Sequence, residues 1–141
     1  MAGPVRDGAG NLYGTTYEGG EYQAGTIFKL TRDKTDHWKE TILFEFPKVE
    51  DGAGPTASLV LDAQGSLYGT AGGGGGSCSC GVVFKMIADS RNKWGYTVRH
   101  RFTGPDGQFP QMLSIGGGGK LYGTTNGGGM YGYGVIFEIT P

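Results

Sequence analysis

Apolar and polar positions alternate along this chain in short runs of about four to eight residues, the length and period of half-buried β-strands. In the middle of the sequence, Leu59 and Leu61 alternate within Ala57–Asp62, and a turn at Ala63-Gln64-Gly65 leads into Ser66–Thr70. A glycine-rich stretch precedes Val82–Ile87, and a polar turn with Asp89, Ser90 and Asn92 precedes Tyr96–Phe102. These runs are rich in β-branched and aromatic residues, and no 3.6-residue apolar period runs through them, so the pattern predicts four strands, a to d, and no helix.

The pattern repeats. Leu12-Tyr13-Gly14-Thr15 returns as Leu67-Tyr68-Gly69-Thr70 and as Leu121-Tyr122-Gly123-Thr124, so the tyrosines stand 55 and 54 residues apart. Gly25-Thr26-Ile27-Phe28 returns as Gly81-Val82-Val83-Phe84 and Gly134-Val135-Ile136-Phe137. Trp38, Phe46, Asp51-Gly52 and Pro55 return as Trp94, Phe102, Asp106-Gly107 and Pro110. The copies run approximately over residues 1–56, 57–111 and 112–141, the first and last incomplete. A single four-stranded unit has two faces and little core, so it must stack on a neighbour. The expected fold is all-β, a partial β-propeller of about two and a half four-stranded blades with a repeat of about 55 residues. Because the chain opens inside a repeat, the pattern leads us to expect further repeats in a longer chain, or self-association.

Composition narrows the function classes. Thirty of 141 residues are glycine, with only six prolines and no G-X-Y period, which points to tight turns rather than collagen. Twelve basic and thirteen acidic residues leave a formal charge of −1. Arg91, Lys93, Arg99, His100 and Arg101 are the densest basic group, but their counterparts one repeat earlier include Lys39, Glu40 and Glu45. No basic stripe crosses the array, so nucleic acid is not the expected partner. No apolar run reaches the roughly 18 residues of a membrane span, and Met1–Arg6 lacks the apolar core of a signal peptide.

The segments Asp7-Gly8-Ala9-Gly10-Asn11-Leu12-Tyr13-Gly14-Thr15-Thr16 and Asp62-Ala63-Gln64-Gly65-Ser66-Leu67-Tyr68-Gly69-Thr70-Ala71, each followed by Gly-[Thr/Val]-[Ile/Val]-Phe-Lys, resemble the bacterial GloVer tandem repeat over nearly the whole chain. A looser likeness of the a–turn–b segment is to NHL-type propeller blades. The GloVer resemblance implies an exported or surface-anchored protein, extracellular or on the cell surface, with a propeller-like body and no established activity. The third copy departs from the pattern, with Gly116 in place of the aspartate, and a looser turn is expected there.

Candidate chemistry is sparse. Asp7 and Asp62 read as turn residues that accept backbone N–H groups, with Gly10 and Gly65 supplying positive φ. Gly72–Gly76 lacks the Lys-Ser/Thr and helix of a phosphate loop, so it reads as a hairpin loop. Cys78 and Cys80 are the only cysteines. Zinc would want a second ligand pair, which His37 and His100 do not supply. That leaves a disulfide, kept in view by the export-type resemblance, or free thiols. No metal, cofactor or catalytic residue is assigned.

Tyr17, Glu18 and Tyr22 occupy the b–c loop of copy one, and Tyr131 and Tyr133 that of copy three. In a propeller, b–c and d–a loops emerge on one face, so Asp51 and Asp106 from the d–a loops join them as candidate ligand contacts. Exposed tyrosines there suit a sugar ring or another flat ligand. The expected function is a non-catalytic exported repeat module, a surface scaffold or a glycan- or protein-binding platform. The alternative is a fragment of a propeller enzyme acting on polysaccharide, its catalytic residues in other blades.

Overall fold

The computed structural model describes residues 3–47 and 50–141; Met1 and Ala2, on which part of the leader reading rests, lie outside them, as do Lys48 and Val49. The described residues form twelve strands in three antiparallel sheets, with one short 3-10 turn at Gly117–Gly119 and no α-helix. Sheet one is a meander of β1 (Val5–Arg6), β2 (Leu12–Thr16), β3 (Thr26–Arg32) and β4 (Trp38–Glu45). Sheet two holds β5 (Ala53–Pro55), β6 (Val60–Leu61), β7 (Leu67–Gly73), β8 (Val82–Ala88) and β9 (Trp94–Arg101), and sheet three β10 (Gln108–Ile115), β11 (Leu121–Gly127) and β12 (Ile136–Ile139).

Strand a of the middle copy is broken. β5 and β6 both pair with β7, and the chain between them leaves the ladder. Thr56 Oγ1 instead donates to the Pro110 carbonyl of sheet three at 2.9 Å, and Leu59 drops into the core at 3 % exposure. In sheet one, Val5–Arg6 pairs with β2 and supplies a short strand a that the sequence pattern did not reveal.

One packing rule joins the sheets. Residues pointing forward from one sheet meet residues pointing back from the next. Tyr13, Ile27 and Phe46 meet Leu67, Phe84 and Met86 in a first core. One repeat on, Tyr68, Val83 and Phe102 meet Leu121, with Phe137 and Ile139 packed beside it, in a second. Tyr96 seals the first junction: its ring stacks on Phe44 at 3.9 Å and its hydroxyl donates to the Asp51 carbonyl. Burial, and then the nearby Asp51 charge, push that phenol far above its ordinary pKa.

Two glycines in the signature follow from this packing. Gly69 lies across from Phe84 in the β7–β8 ladder, and the Phe84 ring occupies the space a Cβ would need. Gly14 under Phe28 and Gly123 under Phe137 repeat the arrangement. Gly81 has φ +97, and a Cβ on it would stand 2.5 Å from Pro110 Cδ of the next sheet. The conformation and the close approach together admit only glycine there.

The hairpin turns share one device. Asp62 Oδ1 accepts the N–H groups of Gln64 (3.0 Å) and Ser66 (2.7 Å), and its Oδ2 accepts the Tyr68 hydroxyl at 3.1 Å. Asp7 does the same for Ala9, Asn11 and Tyr13, and Asp33 and Asp89 cap the c–d turns with paired N–H contacts. At Gly116 the backbone frame persists, Gly116 N–H reaching the Lys120 carbonyl at 2.8 Å, while the side-chain bonds are gone. The Tyr122 ring covers Gly116, and the phenol turns to Glu138. Burial works to raise the Asp62 carboxyl, but hydrogen bonds from Ser66, Tyr68 and Gln64 outweigh it and hold it below the ordinary 3.8. A depressed carboxyl contributes stability above its unfolded pKa and loses it as pH falls through the folded value. Asp62→Ala should therefore cost about 1–3 kcal/mol at pH 7. The gap to wild type should narrow below about pH 4, as urea unfolding at pH 7 and pH 3 would report. An equal gap at both pH values would mean that the carboxylate charge contributes nothing.

Candidate functional site

The b–c and d–a loops gather along one edge of the stacked sheets because the junctions tie them together. Ala24 O accepts the Gly54 N–H and Cys80 O accepts the Phe109 N–H, each at 2.8 Å. Just beside them, Gly25 O accepts from Phe46 and Gly81 O from Phe102, each at 3.0 Å. The loop of one sheet is thus bonded to the entry strand of the next, and shallow grooves run between them.

The middle groove, of about 470 Å³, is lined by Tyr17 from sheet one, Thr56 and Ser79 from sheet two, and Phe109, Gln111 and Asn126 from sheet three. Cys78 also borders it. A smaller recess of about 270 Å³ lies between Tyr17, Glu18 and Gln23 on one side and Ala53 and Gly54 on the other. A wider one borders Thr103, Gln108 and Met130 and shares Phe109 and Asn126 with the middle groove.

The residues singled out from sequence are distributed unevenly over this edge. Tyr17 lines two of the grooves and Glu18 one. Tyr22, Tyr131 and Tyr133 are exposed and line none of these three. Asp51 faces Arg101 at 3.6 Å. Asp106 accepts the Thr103 N–H (2.7 Å) and hydroxyl (2.9 Å) and pairs with His100 Nε2 at 2.9 Å. Burial works to raise the Asp106 carboxyl, but the Thr103 and His100 hydrogen bonds outweigh it and hold it low. Both aspartates are engaged with protein partners. Cys78 and Cys80 are joined by a disulfide, with Cys80 buried in the second core and Cys78 at the groove.

Phe109, Gln111, Asn126, Thr56 and Ser79 line the groove without having been singled out. One signal for Phe109 was present in the repeat, where Phe109-Pro110 stands in place of Gly54-Pro55.

Among the described residues, the two histidine clusters lack the order of a nucleophilic triad. His37 Nδ1 meets Thr35 Oγ1 at 2.9 Å, but Asp33 binds the Thr35 hydroxyl rather than the imidazole, on an exposed hairpin tip. A triad needs the carboxylate on the far side of the imidazole. His100 has Asp106 on its ring, and that carboxylate's other contacts go to Thr103. Among the described residues, no three His, Cys, Asp or Glu side chains converge as metal ligands. No helix of the described residues is long and apolar enough to cross a membrane.

A family model described as a Gloeobacter/Verrucomicrobia repeat matches residues 1–141. No curated protein matches the chain.

Proposed function

The chain belongs to the Gloeobacter/Verrucomicrobia repeat family, and from that membership and the geometry above we propose that it is a non-catalytic repeat module whose b–c loop edge serves as a binding platform. The observation that carries this reading is the contrast between strands and loops. Strand residues recur in kind from sheet to sheet because each must fit the next. The loops at one edge differ in residue type and hold Tyr17, Tyr22, Met130, Tyr131 and Tyr133, all exposed, and Phe109 at the start of the adjoining β10 is exposed with them. Variable, aromatic loops on a rigid scaffold are where recognition usually resides.

In this reading the three sheets are successive blades of a propeller, and their outer faces are completed by further repeats, in a longer chain or a second copy. Supporting this, Ile136 is 84 % exposed where Ile27 and Val83, at the same register, are fully buried. The module is taken as exported, which the family resemblance and the disulfide support, since disulfides persist in oxidising compartments. Cell fractionation is the check on that placement.

The platform itself is tested on an array of glycans and peptides. Wild type should be retained by a subset of spots, and Tyr17→Ala should weaken that retention. Trp38→Ala, at the opposite sheet edge, should leave it unchanged. Retention that responded to Trp38 and not to Tyr17 would move the site to the c–d hairpin tips.

A further inference from the structure

We propose that the groove between Tyr17 and Phe109 is a binding site for a neutral oligosaccharide, an inference that rests on the platform reading and specifies its ligand. Gly54 and Phe109 occupy equivalent positions, each before a proline, and have φ of 56° and 55°. The junction imposes that conformation, because each N–H is bonded to the carbonyl of the preceding sheet. Glycine adopts it freely, whereas a bulky residue is strained in it. Phe109 is nonetheless 46 % exposed, so burial of its ring does not explain its presence. Strain kept on an exposed aromatic points to use by a ligand.

The two junctions exchange the source of their aromatic ring. At the first junction, Tyr17 covers Gly54; a Cβ on that glycine would stand 2.8 Å from the Tyr17 ring. At the second, the residue equivalent to Tyr17 is Gly72, and the aromatic ring comes instead from Phe109. One ring therefore comes from the sheet before and one from the sheet after, and both border the same groove.

The chain carries twenty-five charged residues, yet none lines this groove or the recess that continues it past Phe109. An ionic ligand would lose hydration there with no counter-charge. What the lining offers is two aromatic faces, the Gln111 and Asn126 carboxamides, and the Thr56 and Ser79 hydroxyls. Sugar rings present C–H faces that stack on aromatics and hydroxyls that pair with amides. The groove volume lies within the range of small-ligand sites.

The test is isothermal titration calorimetry with cellohexaose, xylohexaose, maltohexaose, laminarihexaose and mannohexaose, alongside oligogalacturonate and an uncharged hexapeptide. At least one neutral hexasaccharide should bind wild type, and oligogalacturonate should not. Phe109→Gly restores the residue that the equivalent position already carries. It should weaken sugar binding about tenfold while leaving the melting temperature equal or higher, a pair of effects that a purely structural ring would not give. Tyr17→Ala should weaken binding similarly, and Trp38→Ala, at the opposite sheet edge, should not. If a neutral sugar binds but Phe109→Gly has no effect, this groove is overturned and the platform stands. Preference for the anionic sugar or the peptide overturns the ligand class. Binding of no probe here and of nothing on the array overturns both the proposal and the platform.

Discussion

Phe84→Ala is expected to cost about 3–5 kcal/mol, as for other fully buried phenylalanines. The ring is fully buried at the centre of the first core, against Phe46 at 5.6 Å and Tyr96 at 5.3 Å. It also lies across Gly69, which is why that glycine belongs to the signature. Gly69→Ala alone forces the ring aside and should cost about 1–3 kcal/mol through overpacking. In a Phe84→Ala background the nearest obstacle is gone and only Leu59 Cδ2, 2.8 Å from the new Cβ, has to give, so the double variant should be less destabilised than the two singles added. Urea unfolding of the four proteins gives the coupling energy directly. Strict additivity would mean that the glycine is kept for some reason other than the ring.

Much of the strand plan was legible because it is written three times. A single Leu-Tyr-Gly-Thr has many meanings, but three spaced 54 or 55 residues apart, each tyrosine followed by Gly 12 or 13 residues on and by Phe three residues after that, leave antiparallel hairpins as the economical reading. The faces were legible too, since alternation assigns Tyr68 and Leu67 to opposite sides, and they enter different cores. What escaped was set by contacts between sheets. The break between β5 and β6 follows the Thr56 bond to Pro110, which no local pattern encodes. Tyr122 turns to Glu138 because the turn aspartate is missing and the Lys29 and Lys85 position holds an acid in the third copy.

The site divides in the same way. That the b–c loops would share one edge could be argued from the hairpin rhythm, and Tyr17 and Glu18 line grooves along that edge. Which other side chains share those grooves depends on how the sheets dock. Phe109 sits at the start of a strand, and its backbone is fixed by Cys80 of another sheet. Arg101 and His100 hold Asp51 and Asp106 only because β9 passes beside the d–a loops.

A pair of equivalent substitutions separates the inner packing from the outer faces. Val83 and Ile136 hold the same register position, one fully buried between sheets two and three, the other 84 % exposed beyond sheet three. Val83→Asp places an unpaired carboxylate in the second core and should cost roughly 3–5 kcal/mol or more. Ile136→Asp should change the stability of a single chain by no more than about 0.5 kcal/mol. Its effect should fall on association instead. The forward face around Ile136 is built like the faces that sheets two and three cover, and the backward face of sheet one, with Phe28 and Ile42, is built like those that do the covering. A head-to-tail contact between copies therefore repeats a junction the chain already makes twice. Wild type should show concentration-dependent association by light scattering, and Ile136→Asp and Ile42→Asp should each block its growth. Mixed together, the two variants retain one intact face each, so they should form a single heterodimer and stop. Growth unaffected by either change would mean that the outer faces do not meet. Self-association kept by one variant on its own would point instead to a contact of like face with like.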